Sequence, residues 1–212
     1  MFGAILADRH SQSRKPEQPA LNARQRTARR TLVLLAVVCI LPVLASYFAY
    51  YVWQPRGRVN YGELIAPVQL PTASLAGLDG QADFVRSEFT GRWTLVYAGP
   101  SGCPAGCVDA LYLMRQSRLA QGQEMNRVAR LWIVTDGGPP PRERLAAQEG
   151  LRIAAAESAW LDVLPGAASG VHVYLVDPLG NAIMRFPEKA DPRKVVKDLQ
   201  RLLKYSSLGR RR

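Results

Sequence analysis

Cys103 and Cys107 stand as C-P-A-G-C directly after the apolar run Trp93-Thr-Leu-Val-Tyr97. Two thiols one helical turn apart, where a strand ends and a helix begins, can close a disulfide or hold a soft metal ion. Pro104 suits a helix that starts beside the pair. The free amides and macrodipole of such a helix favour negative charge, and so a thiolate at Cys103. Residues at i and i+4 share one helical face, so both sulfurs can meet one ion, and the spacing is one used by metal pairs. A disulfide is the alternative, although an i,i+4 pair lies near the long end of usual Cα separations.

Two sulfurs make an incomplete metal site. Soft thiolates select Cu(I), and imidazole suits copper and zinc, so a histidine is the natural third ligand. The chain has two histidines. His10 falls in a basic N-terminal arm, which leaves His172, at the head of an apolar run. The competing role for His172 is a strand-edge histidine bonded to backbone or solvent. Asp136, at a strand end, reads first as a turn former, and Asp109 as a solvated acid in a first helical turn. No Ser-His-Asp constellation, phosphate-binding glycine loop or His-rich run is present.

The elements that must position the cysteines follow from periodicity. Trp93–Ala98 is predicted as a short buried strand bounded by glycines. Val108, Leu111, Tyr112 and Leu119 recur at helical spacing after the cysteines. Leu131–Val134 is a second buried strand, ending in Asp136-Gly-Gly-Pro-Pro-Pro141. Arg142–Glu149 is a short helix stopped at Gly150, and Ser158–Leu164 another, closed by Pro165-Gly166. His172–Asp177 and Ala182–Phe186 form a hairpin through Pro178-Leu-Gly-Asn181. Asp191-Pro192 caps a last helix with the stripe Val195, Val196, Leu199, Leu202 and Leu203. Strand–helix alternation followed by a hairpin and a helix is the order of an α/β, thioredoxin-like domain.

Ahead of this domain, Leu32 to Val52 carries no charge, and about 20 apolar residues suffice to cross a bilayer as a helix. Tyr47, Tyr50, Tyr51 and Trp53 gather at its end, where aromatic rings suit the interface. The net charge is +11, and its excess is concentrated in residues 1–30 and 210–212. Basic residues beside an apolar span set topology, whereas a nucleic-acid face interleaves them with aromatics; no nucleic-acid partner is expected. The span exceeds the ~7–15 residues of a signal core, so it is expected to be a retained anchor, not a cleaved leader. The expected organisation is therefore a disordered basic cytoplasmic tail at 1–30 and a single transmembrane helix at 31–53 in contact with the lipid bilayer. A tether at 54–73, a thioredoxin-like domain at 74–207 and a basic tail at 208–212 follow. In a bacterium this puts a single-pass protein in the inner membrane with its C-terminal domain in the periplasm, where disulfides persist. Cys39, inside the span, needs no chemical role.

The stretches Leu78-Asp-Gly-Gln81, Phe89–Cys107 and Tyr174-Leu-Val-Asp-Pro-Leu-Gly-Asn181, with the single anchor, resemble the Sco/SenC family. The resemblance covers roughly residues 70–205. That family consists of membrane-anchored thioredoxin-like proteins that bind copper through a C-x₃-C pair and a distant histidine during assembly of cytochrome c oxidase. It implies that Cys103 and Cys107 are copper ligands with His172 as the third, and that a haem-copper oxidase subunit is the partner. It makes the chain a metallochaperone or assembly factor sooner than an enzyme, or a thiol-disulfide oxidoreductase using a Cys103–Cys107 disulfide if catalytic. A tethered interaction module with a structural disulfide is the third possibility. The chain departs from the family pattern in places. Val108 stands where the family has proline after the second cysteine. The aromatic-rich segment before the first cysteine is Ala98-Gly-Pro-Ser-Gly102, and the family histidine position is Ser169.

Overall fold

The computed structural model describes residues 18–51 and 60–206. Expectations placed on residues 1–17, 52–59 and 207–212, the basic tail at 208–212 and His10 among them, lie outside these.

Helix α1 runs from Gln18 to Tyr51, with Pro42 inside it. It contains, between Gln25 and Tyr51, an 18-residue window with a mean hydropathy of 2.6. It starts thirteen residues before the expected span, because Ala20, Leu21, Ala23, Gln25 and Ala28 are good helix formers and propagation costs little once the span has nucleated a helix. Residues 18–30 are thus helical, which corrects their assignment to a disordered tail.

The rest folds by itself around one six-stranded sheet. In chain order its elements are β1 (Glu63–Gln69), β2 (Trp93–Gly99), α2 (Ala105–Leu119), β3 (Val128–Val134) and α3 (Arg142–Leu145). They continue with β4 (Leu151–Ala155), α4 (Ser158–Val163), β5 (Val173–Val176), β6 (Asn181–Phe186) and α5 (Pro192–Tyr205). The strand order is β1-β6-β5-β2-β3-β4. β2, β3 and β4 are parallel, whereas β5, β6 and β1 add antiparallel neighbours. The central β2 is buried along its whole length, as a strand covered on both faces must be.

Alternation along the strands sorts the core into two faces. Leu95, Tyr97, Trp132, Val173 and Leu175 pack with α2 and α5, in the same cluster as both cysteines. Val96, Ala98, Leu131, Ile133, Tyr174 and Val176 pack on the other face with Phe84, Phe89 and Trp160. On α5, Asp191 caps the helix by accepting from the Arg193 amide, with Pro192 at the first position.

Two strands are absent from the sequence reading. β1 lies within the residues expected as tether, and instead pairs with β6. Pro67, a register shift between Leu64 and Val68, and a mostly exposed surface leave it without the period-2 signature, as suits an edge strand. It is fastened from behind by Asp198, which is 3% exposed and accepts from the amides of Tyr61 at 2.8 Å and Gly62 at 2.9 Å. A Cβ at Gly62 would press on the buried side chains of Met184 and Phe186, which glycine avoids. β4, Leu151-Arg-Ile-Ala-Ala155, is short and alanine-rich and so carries little strand signature. Its outer edge is bonded by the segment before it in the chain, with the Leu78 amide donating to the Ile153 carbonyl and the Ala155 amide to the Ala76 carbonyl.

Candidate functional site

The site lies where the C-terminal ends of β2 and β3 meet the start of α2. After Gly99 the chain turns through Pro100–Cys103, closed by the Cys103 amide donating to the Pro100 carbonyl at 3.2 Å. Asp136, at the end of β3, pins this turn. Its carboxylate accepts from the Ser101 amide at 3.0 Å, the Ser101 hydroxyl at 2.9 Å and the Gly138 amide at 3.2 Å. The two Ser101 bonds hold the Asp136 carboxyl below the usual carboxylate range. Asp136 therefore does more than form a turn: it fixes the backbone two residues before Cys103. The spacing of a loop serine and a strand-end aspartate 35 residues apart gives no sequence signal for this.

Cys103 and Cys107 are joined in a disulfide, with their Cα atoms 5.0 Å apart. Only Cys107 is helical; α2 begins at Ala105, behind an extended Pro104. Cys103 has φ +46°, in the left-handed region that non-glycine residues rarely enter and where a residue before proline is further restricted. That conformation folds Cys103 back toward the helix, and the pair escapes the long separation that an i,i+4 pair on a regular helix would have. Cys103 is 1% exposed and Cys107 0%. The residues between and before them, Gly102, Pro104, Ala105 and Gly106, are exposed and small.

His172 is not brought to the cysteines. It precedes β5, in which Val173 faces the cysteine cluster and Tyr174 the opposite one. Its ring pairs with that of Tyr174 at 6.3 Å between centroids and approaches Gly166. His172 Nδ1 lies 3.0 Å from the Phe186 carbonyl oxygen. The neighbour on the cysteine side is Val171, which shares a cavity of about 170 Å³ with Ala105 and Gly106 of α2. Ser169, at the family's histidine position, ends a short 3₁₀ turn and donates to the Gly166 carbonyl. Among the described residues no group of three His, Cys, Asp or Glu side chains could hold a metal ion. The Cys103–Cys107–His172 set therefore does not fit a three-ligand copper centre, because the imidazole lies with Tyr174 on the face of the sheet opposite the sulfurs.

Strand-end disulfide, helix start and mixed sheet define a thioredoxin-like protein, and one helix among the described residues is long and apolar enough to cross a bilayer. Residues 93–206, more than half of the chain, match the family described as transmembrane-like, thioredoxin-like, C-terminal domain, and the chain belongs to that family. Solved structures share the fold. Yeast Sco1 with copper bound is 17% identical at a TM-score of 0.52, covering 74% of this chain and 100% of its own. Apo Sco1 from Thermus thermophilus is 18% identical at 0.53, covering 69% and 99%. ScoI from Arabidopsis thaliana with copper bound is 15% identical at 0.50, covering 66% and 98%. These likenesses show the fold. No curated protein matches the sequence.

Proposed function

We propose that this chain is a membrane-anchored thiol-disulfide protein that reduces a disulfide of a partner through Cys103 and Cys107. The observation that carries the reading is the disulfide placed between β2 and α2, with one sulfur on the first helical turn. In the dithiol form the Cys103 thiolate attacks a sulfur of the target disulfide. A mixed disulfide forms, and the first target thiolate leaves and takes a proton. The Cys107 thiolate then attacks Cys103 Sγ, closes the 103–107 bond and releases the second target thiol. Two electrons pass to the target, and an external dithiol must return them before the next cycle. Thiol reduction is favoured over copper delivery because the third ligand is missing from the cysteine face. The target class follows from the Sco/SenC resemblance: thiols of a haem-copper oxidase subunit that must be reduced before its metal centre is filled. The same reading puts the domain in the periplasm, on the far side of the bacterial inner membrane from the basic arm.

Burial of both sulfurs favours a second reading, a structural disulfide. Yet a loop this short contributes only about 2 kcal/mol on the chain-entropy account, the low end for a bond kept for stability alone.

The test is the reduction potential of the full chain in detergent, read by thiol alkylation in glutathione buffers. We expect a two-electron couple above about −300 mV, the range below which structural disulfides fall. We also expect wild type, but not Cys103→Ser, to restore oxidase activity to a strain deleted for the gene. A potential below that range, with Cys103→Ser restoring activity in full, would select the structural disulfide.

A further inference from the structure

Helix α5 divides its charge and its apolar surface sharply. Val195, Leu199 and Leu203 are buried and pack in the same core cluster as the side chains of α2. At about 100° per residue, Arg193, Lys194, Lys197, Arg201 and Lys204 all fall within one arc of roughly 100° on the opposite side of the helix. Arg193, Lys194, Lys197 and Lys204 are exposed, and Arg201 is half-buried. The carboxylates nearby are engaged elsewhere. Asp198, the only acid of the helix, is buried and accepts from the Tyr61 and Gly62 amides. Asp191 caps the helix start, and Glu124, which lines a hollow with Gln200 and Lys204, is paired with Arg127.

A helix face that meets only water ordinarily mixes charges of both signs. This face does not, and the rest of the domain leans the other way. Residues 60–191 hold 14 Asp and Glu against 11 Lys and Arg, whereas α5 holds five Lys and Arg against one Asp, and Arg210 to Arg212 follow it in the chain. The positive excess of the domain is thus gathered on one helix and the residues just after it. The chain also enters the domain beside this helix. Arg201 Nη1 reaches Asn60 Oδ1 at 3.5 Å, and the Lys194 ammonium lies 5.0 Å from the centre of the Tyr61 ring. Eight residues stand between Tyr51, where the apolar helix ends, and Asn60, a length that reaches at most ~30 Å fully extended. A connection that short keeps the local concentration of the domain at a bilayer surface high, so a weak attraction suffices to hold one face there.

We propose that the outer face of α5 docks on the anionic phospholipid headgroups of a bilayer through Arg193, Lys194, Lys197, Arg201 and Lys204. A stripe of long cationic side chains on an amphipathic helix reads surface charge and needs no pocket. Tyr205, 77% exposed at the end of the helix, adds a ring of the kind that settles at headgroup level. The inference rests on the anchored reading of the apolar span and is independent of the chemistry at Cys103 and Cys107.

The experiment reconstitutes the full chain, with Cys39→Ser, into phosphatidylcholine vesicles with and without phosphatidylglycerol. A donor dye is placed at Gln200→Cys on the outer side of α5, or at Asp162→Cys on α4 as the control, and an acceptor on the lipid headgroups. With phosphatidylglycerol, energy transfer from position 200 is expected to be about twofold or more above that from position 162. It should fall to the control level without phosphatidylglycerol, and in about 1 M salt, where the Debye length is only ~3 Å. The same fall is expected when Arg193→Gln, Lys194→Gln and Lys197→Gln are combined. Transfer from position 200 that is equal with and without phosphatidylglycerol, or unchanged in the triple variant, would overturn the proposal and leave the stripe to an acidic protein. Flotation with phosphatidylcholine vesicles alone tests the anchor separately. A chain that fails there yet binds phosphatidylglycerol vesicles, with binding lost in the triple variant, keeps the docking face and loses the anchor.

Discussion

At the scale of single residues, the chemistry of the site rests on how Cys103 is held, and Asp136 is the residue that holds it. Hydrogen bonds from Ser101 depress the Asp136 pKa in the folded chain. A depressed carboxyl contributes stability above its unfolded value of about 3.9, and that contribution is lost as pH falls through the lower folded value. Urea unfolding of wild type should therefore weaken more between pH 5 and pH 3 than that of Asp136→Ala, and the variant's disulfide should be reduced faster by dithiothreitol at neutral pH. Equal acid losses in the two proteins would mean that the Ser101–Asp136 contact does not persist in solution. The cysteine pair was legible in the sequence because spacing and a following proline are local signals. The place of His172 was not. Which side of a sheet a residue takes depends on register with its neighbours, and a step of one residue reverses it.

Among the elements, the parallel core, the hairpin and the final helix were readable from periodicity, and their boundaries moved by only a few residues. β1 and β4 were not, since edge strands need neither alternation nor a continuous apolar run. What fixes β1 is a charged residue inside the buried stripe of α5. Asp198 accepts two main-chain amides, and no amphipathic pattern announces it. Replacing it by alanine strands both donors, at about 3 kcal/mol in total. Asp198→Asn, which keeps one acceptor oxygen, should lose less than half of that in a denaturant midpoint measurement. A loss below ~0.5 kcal/mol for Asp198→Ala would show that β1 is held by its pairing to β6 alone.

For the molecule as a whole, a helix long and apolar enough to cross a bilayer was plain from the uncharged span, and an arginine-lined cavity was invisible. Arg92, Arg118, Arg130 and Arg152 are spread over sixty residues and line one cavity only because the starts of β2, β3 and β4 and the end of α2 lie at the same end of the sheet. The sheet separates two surfaces, and every position along a strand belongs to one or the other by its parity. Val171 and His172 sit on either side of that divide. Transposing them, as Val171→His with His172→Val, would carry an imidazole to the first turn of α2 without altering composition, charge or length. The transposed chain, once reduced, should bind one Cu(I) at least tenfold more tightly than wild type in a chelator competition, and unchanged affinity would show that Val171 is too far from the sulfurs. On this fold a dithiol protein and a metalloprotein can be neighbours in sequence space, separated by the exchange of two adjacent side chains.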